Sequence, residues 1–255
     1  AGAFSESENL RDAFMVVDVG AGTTDFGLFV SARRPVDGVH CVYQAAASIQ
    51  GLMQAGDKVD GLLRGFIAHK ESIDPSDNSG KLILADLSRR IRSLKEVLFK
   101  TGALEYTLSD DTVGSLLLKD FLADPKVLRF GQAVEDGFKK ALSAVDESWL
   151  RWMAMSGMRL NVVLTGGSSP LPMMQALGNG VIEVNGHRIE RKAVNPSPSW
   201  MQDMPDELMV VYPQLAVAIG GAAETMPQTA DAPDVFGGGV RAPSYAPGNI
   251  HVGGK

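Results

Sequence analysis

Apolar positions along the chain follow three rhythms. Buried-type runs at 14–18 and 25–30 predict two β-strands joined by Gly20-Ala21-Gly22-Thr23-Thr24 as a hairpin, and 39–49 reads as a third strand completing a meander. From 51 to 70 the pattern turns helical, with Val59, Leu62, Leu63, Phe66 and Ile67 at near-helical spacing. The polar stretch 71–80 predicts a loop, and a second helix runs over 81–100. "ALEYTL" and "TVGSLLL" flank the turn "SDD" as a second hairpin. Val134, Phe138, Leu142, Val145, Trp149 and Trp152 recur every three or four residues and predict one long amphipathic helix. Its tryptophans read as core, since aromatics at helical spacing are seldom a ligand box.

The last third repeats the opening pattern with a different ending. A buried strand at 160–165 meets the turn Gly166-Gly167-Ser168, followed by a helix with Pro170 and Pro172 near its start. Asn185-Gly186 inside "VIEVNGHRIERKAV" is a strong hairpin signal, 195–205 is irregular, and 212–226 predicts an apolar, Ala/Gly-rich helix. Beyond Pro227 the Gly/Pro/Ala/Ser composition predicts a linker-like tail over 227–255.

Composition narrows the classes. The 255 residues are 45% hydrophobic and 21% charged, which suits a globular chain with a sizeable core. A net charge of −6 without a Lys/Arg cluster argues against nucleic acid or an anionic membrane as partner. Neither a membrane span nor a signal peptide is legible, so a cytoplasmic location is the expectation. Cys41 stands alone, and His40, His69, His187 and His251 lack metal-ligand spacing. The start at Ala1, close to a core strand, reads as a fragment or processed product.

The chemistry concentrates in "VVDVGAGTTDFGLFV". A purely structural hairpin explains Gly20 and Gly22 but leaves two threonines and two acids, Asp18 and Asp25, without a role. A P-loop or dinucleotide fingerprint is excluded, because there is no lysine and a strand follows in place of a helix. The remaining reading accounts for every residue type: glycines admit a phosphate chain to the backbone N–H groups, threonines add donors, and the two acids suit Mg²⁺ and an attacking water.

Those residues resemble the second phosphate hairpin of the actin, hexokinase and heat-shock-70 ATPase superfamily, with DnaK-type chaperones nearest in wording. "VVLTGGSSPLPMMQAL" resembles the same family's adenosine motif, and the two motifs occur in the expected order. The resemblance covers about residues 12–225. It implies an α/β fold: an actin-like (ribonuclease H-like) ATPase lobe with a mixed sheet and flanking helices over 1–55 and 101–226. A smaller α+β subdomain would be inserted at 56–100, extending to about 120. It further implies ATP or ADP with Mg²⁺ as cofactors, the phosphates held by Gly20, Ala21, Gly22, Thr23 and Thr24 and the adenosine by Gly166, Gly167 and Ser168. Asp18 would serve the attacking water and Asp25 reach Mg²⁺ through water, both as catalytic and metal-side acids. "GDKVDGLL" and "RSLKEVLF" resemble two further family segments, the second implying that Arg92 and Lys95 flank adenine and ribose.

Departures accompany the resemblance. Arg92 and Glu96 reverse the family's usual charges, Pro170 replaces an arginine, and Gln214 stands where an acid is usual. The family's first phosphate hairpin is absent from this sequence, so hydrolysis is expected to need an N-terminal lobe of the same protein, and no β-sandwich client domain follows Met226. The implied partners are nucleotide, that lobe, and co-chaperones or nucleotide-exchange factors. An actin-like filament or scaffold ATPase of the division or pilus-assembly type carries similar wording, although "GDKVD" and the proline-containing helix favour the chaperone branch. A degenerate, non-hydrolysing interaction module is a third alternative, which the reversed pair permits.

Overall fold

The strand at the centre of the molecule is the one with no polar face. In β1 (Arg11–Val19), Ala13, Phe14, Met15, Val17 and Val19 are all buried, as expected of a strand covered on both sides. It pairs antiparallel with β2 (Thr24–Arg33) and parallel with β7 (Leu160–Thr165). The computed structural model describes residues 11–33, 40–198, 201, 203–221 and 228–230.

On one side, β2 continues antiparallel to β3 (His40–Ala45) and β4 (Gln50–Leu52). On the other, β7 runs parallel to β9 (His187–Val194), which closes a hairpin with β8 (Gly180–Val184). With β10 (Gln228–Ala230) beside β3, the result is an eight-stranded mixed sheet in the order β10–β3–β2–β1–β7–β9–β8, with β4 branching from β2. The molecule is thus a mixed α/β protein.

Its helices are α1 (Gly56–Lys70), α2 (Asn78–Thr101), α3 (Leu118–Leu122), α4 (Pro125–Ser143), α5 (Glu147–Met153), α6 (Pro172–Gln175) and α7 (Asp206–Gly221). A separate two-stranded sheet, β5 (Ala103–Thr107) with β6 (Val113–Leu117), follows α2. Tyr106 donates to Glu71 Oε1 at 2.7 Å and ties this hairpin to the end of α1.

Several predicted elements are corrected. The third strand is broken after Ala45, because the buried Ser48 intrudes on the ladder: its hydroxyl accepts from Leu28 N–H at 2.7 Å and donates to Ala45 O at 2.6 Å. The chain then re-pairs with β2 as β4, so the first helix starts at Gly56 and not at 51. The second helix opens earlier, at Asn78, where Asp77 caps Ser79 N–H, and Gly102 ends it at φ +78°. The long helix is two, α4 and α5. Asp146 accepts from Ser148 N–H and starts a new helix where the first has run out, while the stripe stays continuous and Trp149 and Trp152 pack edge-on in the core.

After the second glycine turn the helix is a single turn, α6. The Asn185-Gly186 hairpin forms as expected, with φ +49° and +78° at its two central residues, the pattern of a type I′ turn. The last helix starts six residues early, at Asp206, and the expected stretch 222–226 lies outside the described residues. Within the expected tail, Gln228–Ala230 is a strand, and 231–255 also lies outside them.

Candidate functional site

β1 and β7 are parallel neighbours, so both end at the same edge of the sheet, and both glycine turns sit there. In α/β sheets the carboxyl ends of parallel strands are where ligands bind, because the chain must leave the sheet and its backbone groups lose their ladder partners. Asp18 pairs across the ladder with Asp25 on β2 and with Thr165 on β7. Residues directly opposite in an antiparallel pair share a face, so the two carboxylates are side by side.

Three backbone bonds tie the edge together. Ser168 N–H donates to Val19 O at 3.0 Å, Gly56 N–H to Gly20 O at 3.3 Å, and Asp57 N–H to Ala21 O at 2.8 Å. The hairpin tip, the start of α1 and the second glycine turn therefore form one cluster. Its closeness explains two glycines. A Cβ on Gly56 would collide with Ser168 Oγ, and a Cβ on Gly166 would collide with Val19 O and lie 2.6 Å from Asp18 Oδ1. Gly166 also holds φ +85°, in the left-handed region.

The hairpin glycines have no such reason. Neither Gly20 nor Gly22 adopts a left-handed conformation; a Cβ on Gly20 would make only an ordinary contact with Thr23 O at 3.4 Å, and one on Gly22 would meet nothing within 4 Å. Gly20 N–H closes the turn onto Thr23 O at 2.9 Å, while the N–H groups of Ala21 and Gly22 donate to no backbone acceptor among the described residues. Exposed N–H groups in succession form an anion-binding nest.

The side chains divide. Thr23 Oγ1 donates to Asp25 Oδ2 at 3.1 Å and stays at the tip. Thr24, expected as a phosphate donor, is fully buried and donates to Gln54 O at 2.8 Å, which corrects that assignment: its hydroxyl anchors the β4–α1 connection. Thr24→Val should therefore lower stability by about 1–1.5 kcal/mol in urea unfolding, as one buried carbonyl loses its donor, while ligand binding at the edge is unchanged.

Asp18 is half-buried. Its burial, and secondly the charge of Asp25, push its carboxyl above the ordinary aspartate range. Among the described residues no cluster of three or more His, Cys, Asp or Glu could hold a metal ion.

Of the helix α2 candidates, one reaches the cluster. Lys95 Nζ lies 2.7 Å from Asp60 Oδ1 and donates to Gly56 O at 3.3 Å, with both charged side chains largely buried. Lys95 thus braces α1 behind the turns with its charge already taken. Arg92 is 79% exposed and pairs with Glu96 along its own helix at 3.3 Å, so it joins none of the cluster's contacts, a correction to its expected role. Asp60 was not legible as Lys95's partner, because the two are 35 positions apart on different helices. Gln214 on α7 lies over Gly167, 3.6 Å from where a Cβ would stand.

No protein-family model matches the sequence, and no curated protein matches it.

Proposed function

We propose that this chain is a nucleotide-binding lobe of the heat-shock-70 and actin-like ATPase type, holding the phosphates of ATP or ADP on the 20–23 hairpin and the nucleoside beside 166–168. The observation that carries the reading is that Gly20 and Gly22 are glycine without any need inside the molecule. Neither conformation nor a neighbouring atom requires it. A partner that must approach the backbone does, and the adjacent N–H groups and flanking acids match a phosphate chain with Mg²⁺.

Within that reading, Mg²⁺ when bound neutralises phosphate charge. Asp25, oriented by Thr23, would hold Mg²⁺ through water, and Asp18 would orient the attacking water and accept its proton. Gly166, Gly167 and Ser168 shape the nucleoside wall. Lys95 keeps α1 in place instead of touching the base. Hydrolysis needs charge stabilisation from more than one side, and a second lobe of the same protein would supply the rest. Met209, Leu215 and Ile219 leave apolar surface on α7, next to the edge, where such a lobe could close. Exchange factors or co-chaperones follow from the resemblance alone. Among the described residues no helix is long and apolar enough to cross a membrane.

The test is calorimetric titration of MgADP into the wild-type chain and into Gly22→Val. A valine at 22 has open space around it, so stability should stay within about 0.5 kcal/mol, whereas affinity should fall at least about tenfold as the side chain occupies the phosphate's place. Absence of binding by the wild type overturns the proposal.

A further inference from the structure

Away from the glycine turns, a cavity of about 330 Å³ opens between α4, α6 and β9. That is within the range of small-molecule sites. It is a separate place: Arg191 on β9 pairs with Leu160 at the start of β7, whereas Asp18 pairs with Thr165 at its end. Five residues of strand, about 17 Å, lie between them.

The walls are mostly apolar, with Leu122, Val127, Met173 and Leu177, and two charges, Glu135 and Arg191, face the same space. The charges are not equivalent. Glu135 already has Lys139 Nζ at 2.9 Å, one turn along α4. Arg191 has the face of the buried Phe138 ring 5.7 Å from its guanidinium carbon, and its Nε is buried without a hydrogen-bond partner. Burial lowers the guanidinium pKa and the charge of Glu135 offsets this only in part. Nε is closed off from the cavity, but Arg191 lines it as a partly desolvated cation, and the group that matches a guanidinium is a carboxylate.

We propose that this cavity is a second ligand site, for a small carboxylate with an apolar body such as a medium-chain fatty acid. Its carboxylate accepts from Arg191, and its chain lies against Leu122, Val127, Met173 and Leu177. The ring of Phe138 lies 5.7 Å from the guanidinium carbon and adds a cation–π contact to its surroundings. The site does not depend on nucleotide binding at the other end of the sheet.

Octanoate is the probe and octanol its uncharged match, each titrated calorimetrically into the full chain. Octanoate should bind, and octanol at least about tenfold more weakly. Arg191→Met should weaken octanoate by about ten- to a hundredfold, the worth of a charge-assisted hydrogen-bond pair, and leave octanol unchanged. Gly131→Leu fills the cavity from α4 and should remove both ligands. A Cβ there makes an ordinary 3.6 Å contact with Met173 Cβ, and the variant, checked for wild-type folding by circular dichroism, decides the matter if Arg191→Met does not fold. No octanoate binding to the wild type, or binding that Gly131→Leu leaves intact, overturns the proposal.

Discussion

Gly166→Ala should unfold about 6–12 °C below the wild type, the equivalent of about 3 kcal/mol for a chain of this size, and should lose nucleotide binding with it. Two costs add. An alanine at φ +85° carries about 1–2 kcal/mol of left-handed strain. Its Cβ also meets Val19 O and Asp18 Oδ1, and a backbone carbonyl cannot swing aside as a long side chain could. The end of β1 and the start of the 166–168 turn must therefore separate, and Ser168 N–H loses its 3.0 Å bond to Val19 O. Thermal unfolding read together with MgADP titration checks this. The comparison with Gly22→Val gives the result its meaning: one glycine is needed by the fold, while the other meets nothing inside it. A Gly166→Ala protein with wild-type melting would contradict the close packing of the two turns.

The same contrast explains what was legible in the sequence. Strands β1, β2 and β7 stood out because a strand covered on both faces must be apolar, and Asn185-Gly186 fixed its hairpin because few residues adopt positive φ twice in succession. The break at Ser48 was hidden: one buried hydroxyl does the work of a ladder partner, and nothing in "AAASIQ" announces that it faces inward. The split of α4 from α5 was hidden for the opposite reason, since the apolar stripe runs on while the backbone restarts at Asp146. At the edge, the sequence order alone put Asp18 and the 20–23 turn at the end of one strand, and the ladder adds Asp25 and Thr165 beside Asp18. Thr24 and Arg92 were misassigned because residue type says nothing about direction: Thr24 alternates into the core by the period of the strand, and Arg92 finds Glu96 one turn along its helix.

Asp18→Asn should separate stability from chemistry in opposite directions. In the metal-free protein the Asp18 carboxylate is half-buried beside Asp25, and its pKa is raised above the unfolded value, near 3.8. The sign follows. Below the unfolded pKa both states hold the proton and the acid costs nothing. As pH rises from there through the folded pKa, the native state binds more protons than the unfolded chain, so stability falls, and above the folded pKa the whole penalty is present. Asparagine removes that penalty, so at neutral pH the variant should melt above the wild type, and the gap should close in acid. If the acid pair takes Mg²⁺ as proposed, the ion should raise the melting temperature of the wild type more than that of the variant and so narrow the gap between them. On the proposed ATPase reading, hydrolysis by this chain with a second lobe should fall by about 10²–10⁴-fold, the usual worth of a positioned general base. A purely structural acid would show the stability gain but neither the Mg²⁺ effect nor the loss of turnover. Wild-type turnover in Asp18→Asn would remove Asp18 from the proposed chemistry, and a variant less stable than the wild type at neutral pH without metal would contradict the burial cost of its carboxylate.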